Sequence, residues 1–241
     1  MFWQGEALII NKFKHSESAL IISFFAKENL FSAYVKGAMS KKMQTIYQIG
    51  NLIHGTKKSR NENSLGNFSH AEIITNYNAK FITNNKKIIA LKNISEMLAI
   101  ALQIGMNYEN LYQYLMNYLN HLINNELSFE SYINFELKLL NDLGFGLDLK
   151  QCSVTGDNNN LFYISPKTGH AICKKIGAPY HEKLFIMPEF FKKENQPALK
   201  RDYDKIFKIN EYFLNKHIFV PNNKKIPFAR NLLLKEFAKS N

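Results

Sequence analysis

The chain has 241 residues, 46% hydrophobic and 21% charged, which suffices for one or two cored domains and excludes global disorder. Its net charge of +11 points to a polyanionic partner, nucleic acid or an anionic membrane surface, with compositional drift of an Asn-, Ile- and Lys-rich chain as the plain alternative. Two cysteines cannot build a disulfide framework, no apolar run reaches the ~18 residues that span a bilayer, and Met1–Glu6 lacks the features of a secretory leader. The expected compartment is therefore the cytoplasm.

The first element expected is a strand over Ala7–Phe13, rich in β-branched residues and closed by Lys12 and Lys14. After the polar turn Lys14–Ser18, a second strand is expected over Leu20–Phe25. Phe31–Lys36 alternates, with Phe31, Ala33 and Val35 on one face and Ser32, Tyr34 and Lys36 on the other. Val35–Met43 then reads as a strand end breaking into a basic turn hinged at Gly37. Asn51–Thr56 and Phe68–Thr75 are two more strands, separated by the long basic and polar loop Lys57–Gly66. Five short strands within residues 1–80 predict a Greek-key barrel of the OB type, and a β-sandwich would need more chain.

Tyr77–Lys87 reads as an Asn- and Lys-rich connector at a domain boundary. Apolar residues at 88, 91, 94, 98, 101 and 104 have helical spacing, and Gly105 marks the end of that helix. Further helices are expected over Tyr108–Ile123 and over Phe129–Leu143, the latter with Ser128 as N-cap and Gly144 and Gly146 beyond its end. Leu147–Gly177 reads as irregular, with turn clusters around a short hairpin. Two last helices are expected, over Leu199–Lys216 and Phe228–Lys239, with Pro227 just before the first turn of the latter. The fold class is α+β: a barrel domain over 1–80, then a helical domain over 81–241 with an irregular, metal-free, zinc-finger-like insert at about 147–180.

Charge is uneven along this plan. Residues 1–80 carry 10 Lys and Arg against 5 Asp and Glu, residues 81–150 carry 5 against 7, and residues 151–241 carry 16 against 8. Drift would raise Lys everywhere, so basic patches at both ends fit better. An OB barrel grips single strands by tracking phosphates with cations and stacking bases on aromatics. The candidate DNA-binding residues are Lys12, Lys14, Tyr34, Lys36, Lys41, Lys42, Lys57, Lys58 and Arg60. Solvated loop charges and a packing tyrosine are the bland alternative.

Other chemistry is poorly supported. Cys152 is followed at the zinc-pair offset by Thr155 and Cys173 by Ile176, and His170 and His181 complete no usual ligand spacing. No nucleophile elbow, phosphate loop, His-Glu-x-x-His or dinucleotide fingerprint occurs, so neither a cofactor nor an enzyme is expected. Tyr108, Tyr112, Tyr114 and Tyr118, with Phe129, Tyr132 and Phe135, read as helical core rather than a peptide groove. Lys138 reads as solvent-facing, with a cation beside a peptide pocket as the alternative.

Taken in order, several short stretches resemble the RecO family of recombination mediators. They are Trp3-Gln4 with Glu6, His15-Ser16-Glu17, Lys36-Gly37, Ser40-Lys41-Lys42-Met43, Gln48-Ile49-Gly50-Asn51-Leu52, Leu65-Gly66 and Ala71-Glu72. In the carboxyl half they are Phe135-Glu136-Leu137, Leu139-Leu140, Leu143–Asp148, Cys152–Gly156 and Tyr163–Gly169. The last ~60 residues match loosely. The resemblance implies binding to single- and double-stranded DNA and annealing of complementary strands. It also implies action with RecR to load RecA on strands coated by single-stranded-DNA-binding protein, whose acidic C-terminal tail is a further partner. Some members carry a four-cysteine zinc module, but the Cys-x-Val-Thr-Gly of this chain resembles the zinc-less branch. Where relatives often continue with a basic residue and a proline, Gln44-Thr45-Ile46 follow Met43, which weakens the basic turn. An OB-fold RNA-binding protein, a non-catalytic scaffold and a metal-independent enzyme are the alternatives.

Overall fold

The computed structural model describes residues 1–61, 64–192 and 197–239; residues 62–63 of the loop read between the fourth and fifth strands lie outside it. Five strands come first: β1 (Phe2–Lys14), β2 (Leu20–Ala26), β3 (Leu30–Val35), β4 (Asn51–Lys58) and β5 (Asn67–Asn76). They close into a barrel in the order β1-β2-β3-β5-β4, the five-stranded OB architecture. β1 starts earlier than its apolar run because it serves two neighbours. Phe2–Leu8 pairs with Lys58–Leu52 of β4, and Ala7–Lys14 pairs with Ala26–Leu20 of β2. β3 and β5 run parallel and are joined by the single registered pair Tyr34↔Asn67.

Alternation packs the interior. Ala7, Ile9, Ile22, Phe24, Phe31, Ala33, Val35, Ile53 and Phe68 are buried together, and each large apolar side chain among them contributes about 1.5–3 kcal/mol. Phe24 stacks on Phe68 with ring centroids 4.3 Å apart, and Trp3 lies 4.7 Å from Phe31. One irregularity redirects the end of β1. The β1–β2 register runs Ile9↔Phe24 and then Asn11↔Ser23, so Ile10 is a bulge. Beyond it the phase of alternation flips. Lys12 and Lys14 now stand opposite the interior residues Ile22 and Leu20, while Phe13 is 56% exposed.

The segment read as a basic turn is a turn followed by a helix. Gly37 has φ +71°, Ser40 is the N-cap in extended conformation, and α1 runs Lys41–Ile46. Lys41 and Lys42 therefore lie on its first turn. The buried Asn51 holds the other end: its Nδ2 donates to the carbonyls of Thr45 (3.0 Å) and Ile46 (2.8 Å), two groups that the helix itself leaves unbonded. Gly50 has φ +87°, and a Cβ there would come within 2.6 Å of Leu91 Cδ2.

The Asn-rich connector is also more ordered than its composition implies. It contains α2 (Tyr77–Phe81) and the start of α3 (Asn85–Ala101), because two asparagines are caps: Asn76, at the end of β5, accepts through Oδ1 from Ala79 N, and Asn84 Oδ1 accepts from Lys87 N. α4 spans Glu109–Asn124. The first compact unit is Met1–Glu126 with Pro227–Leu233.

The second unit is Leu127–Ile226 with the chain from Leu234 onward. It opens with α5 (Phe129–Asp142), where Ser128 Oγ accepts from Ser131 N as the spacing predicts. The stretch read as irregular around a hairpin holds that hairpin, β7 (Leu161–Ile164) with β8 (His170–Cys173). It is widened by β6 (Asp148–Cys152) and β9 (Phe185–Ile186) into a sheet of order β6-β8-β7-β9. The short α6 (Lys174–Gly177) follows β8. α7 (Tyr203–Leu214) packs Phe207 against Tyr132, and Tyr203 stacks on Phe129 at 3.7 Å. The aromatic stripe of α5 is thus core. α8 (Phe228–Lys239) crosses the unit boundary after Leu233. Among the described residues, no helix is long and apolar enough to cross a membrane.

Candidate nucleic-acid interface

The β1 bulge and α1 together make a cationic cleft. Its volume is about 530 Å³, and Lys12, Lys14 and Lys41 line it with Gln44, Thr45 and Gln48 over an apolar floor of Leu20 and Met39. Lys12 is partly committed: its Nζ donates to the carbonyl of Tyr47 at 3.1 Å. That residue's ring is buried in the barrel, and burial pushes the Tyr47 hydroxyl up to about 12. Lys14 and Lys41 are exposed, so their ammonium groups are the ones positioned to meet an anion. Lys36, one residue past β3, and Lys42 are exposed as well.

Tyr34 marks a second cluster. It is half-buried on the outer face of β3, with the His15 ring edge-on at 5.4 Å, and its N–H donates to the carbonyl of Gly66 at 3.0 Å. The turn after β1 and the loop after β4 therefore both reach it. Along the ladder Tyr34 pairs with Asn67, and Asn67 with Lys58. Directly paired residues share a face, so Tyr34 and Lys58 look outward two strands apart. Arg60 is exposed in the loop that follows.

Lys57 departs from its expected place. It and Lys58 are the last residues of β4 rather than loop, and alternation sends Lys57 inward, opposite Trp3 and Phe68. It is 5% exposed, with Nζ 5.0 Å from the Phe31 ring centroid. A phosphate contact by Lys57 would require that cation–π contact to open. Gln44, Gln48 and His15 were not among the sequence candidates; uncharged amides leave no trace in a charge pattern, and His15 acquires meaning only through Tyr34.

A larger cavity, about 950 Å³, lies along α5 in the second unit. Leu137, Leu149, Phe190 and Phe191 give it apolar walls, and Lys138, Lys150 and Lys192 also line it. Lys138, read as solvent-facing, is on this wall, with its Nζ on Asp142 Oδ1 at 2.7 Å. Lys192 is paired with Glu189. A structural zinc does not fit the insert: Thr155 stands where a second cysteine would be, and among the described residues no three His, Cys, Asp or Glu side chains are grouped to hold a metal.

Comparison with known proteins agrees with this architecture along most of the chain. The family described as Recombination protein O N terminal matches residues 1–77, and Recombination protein O C terminal matches residues 84–226. A protein of Rickettsia canadensis named DNA repair protein RecO is 35% identical over 216 residues, 89% of this chain and 88% of the relative. Proteins of the same name from Orientia tsutsugamushi (strain Ikeda) and Sinorhizobium medicae are 30% and 32% identical, over 98% and 96% of this chain and 97% and 92% of each relative. This chain, an α+β protein with an OB-type barrel at its N-terminus and helices after it, belongs to the RecO family of DNA repair proteins.

Proposed function

We propose that this protein is a non-catalytic, cytoplasmic recombination mediator. It binds single- and double-stranded DNA through the barrel domain, anneals complementary strands, and works with RecR to load RecA on strands coated by single-stranded-DNA-binding protein. The convergence of Lys12, Lys14 and Lys41 on one cleft of an OB-type barrel carries the reading. Phosphates entering the cleft release counterions, so affinity falls steeply with salt. Neutralising two strands lowers their mutual repulsion, and complementary bases can meet. Phosphate contacts carry no sequence information, which suits a protein that must anneal any sequence.

The remaining candidates extend the path. Lys36 and Lys42 flank the cleft, Tyr34 offers a stacking face, and Lys58 and Arg60 line the second approach. The acidic tail of the single-strand-binding protein enters the cavity along α5, its apolar side chains against Phe190 and Phe191 and its carboxylates towards Lys150 and Lys192.

The test is annealing of two complementary strands, both pre-coated with single-strand-binding protein, at two salt concentrations. The protein should accelerate annealing, and less so at high salt. Lys14→Ala with Lys41→Ala should lower the slope of log affinity against log salt by about 1.4–1.8, the weight of two phosphate contacts. Unchanged annealing with and without the protein would refute the mediator reading, and an unchanged slope in the double variant would refute the cleft.

A further inference from the structure

Two cysteines that DNA binding does not use meet in the second unit. Cys152 ends β6 and Cys173 ends β8; they are 1% and 7% exposed. The Cys173 backbone N–H donates to Cys152 Sγ at 3.2 Å, which sets the two cysteines side by side. Thr155 Oγ1 is 3.6 Å from Cys173 Sγ. Burial alone pushes the Cys152 thiol up. The Thr155 hydroxyl and the backbone N–H groups of Cys173, Val154 and Thr155 outweigh it and bring it down to about 6. Thr155 pulls the Cys173 thiol down, but burial, the neighbouring Cys152 sulfur and the Asp157 carboxylate together push it up. The two shifts are opposite in sign, so Cys152 is the sulfur that ionises more readily. Its cover is thin, since residues 153–160 form a turn exposed at every position, the kind of segment that opens locally at small cost.

We propose that Cys152 and Cys173 form an oxidisable dithiol, which hydrogen peroxide converts to an intrachain disulfide tying β6 to β8. The Cys152 sulfur attacks one peroxide oxygen; the O–O bond breaks, and the leaving hydroxide takes a proton from solvent to become water. Cys152 is left as a sulfenic acid. The Cys173 sulfur then attacks the Cys152 sulfur and gives up its proton, and the sulfenic oxygen leaves with it as a second water. Two thiols lose two electrons, and the peroxide is reduced to two waters. In a reducing compartment the bond is transient, formed under peroxide and reversed by cellular thiols.

The test uses the reduced full chain, exposed to hydrogen peroxide, then denatured and alkylated. Intact mass should show loss of two hydrogens with neither cysteine alkylated, against two alkyl groups in the untreated control. Peptide mapping should find residues 152 and 173 cross-linked within one chain. The rate should rise from pH 5 and level off above about pH 7, because the thiolate population saturates. Thr155→Val removes a donor from the thiolate and should slow the reaction by about three- to tenfold. Cys173→Ser should stop at a sulfenic acid on Cys152 that dimedone captures. Full alkylation after peroxide, cross-links found only between chains, or a rate that climbs steadily to pH 9 would each overturn the proposal.

Discussion

Single side chains in this protein gain their roles from neighbours distant in sequence. Asn51 is a buried amide whose two donated hydrogen bonds finish α1. Asn51→Ala should leave two carbonyls unmet and cost about 1–3 kcal/mol, a fall in thermal midpoint of roughly 2–4 °C for each kcal/mol in a chain of this size. An unchanged midpoint in a thermal melt would mean that water takes over the bonds. Lys57 and Lys58 make the same point about charge. They are adjacent and chemically identical, yet one lies against Phe31 inside the barrel and the other faces solvent. Lysine count alone could not separate them.

At the scale of elements, what could be read from the chain depended on whether pattern or pairing creates the element. β2, β3, α5 and α8 carry their own periodicity, and the expected bounds agree with the observed ones to within one or two residues. α1 is six residues long and rich in Lys, too short to show a helical repeat. β6 and β9 have little alternation and exist because β8 and β7 offer them partners. The site was partly legible in the same sense. The lysines of the cleft stand out as charges, but their convergence depends on the bulge at Ile10, where an unbroken apolar run hides the change of phase. The Gly50-Asn51 junction is where α1, β4 and α3 fit together. Gly50→Ala would force an L side chain into positive φ with its Cβ against Leu91. A loss of about 1–3 kcal/mol is expected from the backbone strain and the displacement of Leu91. A denaturant midpoint equal to the parent's would show that α3 gives way freely.

At the scale of the whole chain, two tasks are expected of two separate sites. On the proposed function the cleft of the first unit grips phosphate and the cavity along α5 receives a protein tail, so the two should be separable by mutation. Lys150→Glu with Lys192→Glu should weaken binding of an acidic tail peptide about tenfold or more, since each cation becomes a like charge, and leave affinity of the barrel domain's cleft for bare single strands within about twofold. Titration of both ligands against the same variant checks this, and parallel losses would mean that the cavity belongs to the DNA path. The barrel itself has one further consequence. β3 and β5 meet through the lone pair Tyr34↔Asn67, while every other neighbouring strand pair is laced along most of its length. Mechanically this is a split ring, stiff around its circumference and compliant at one seam. The seam runs beside Tyr34, between the turn after β1 and the loop after β4. Few backbone bonds hold the wall there, and the ring contact of Phe31 with Phe68 across the seam (centroids 6.5 Å apart) is left to keep β3 and β5 together from inside.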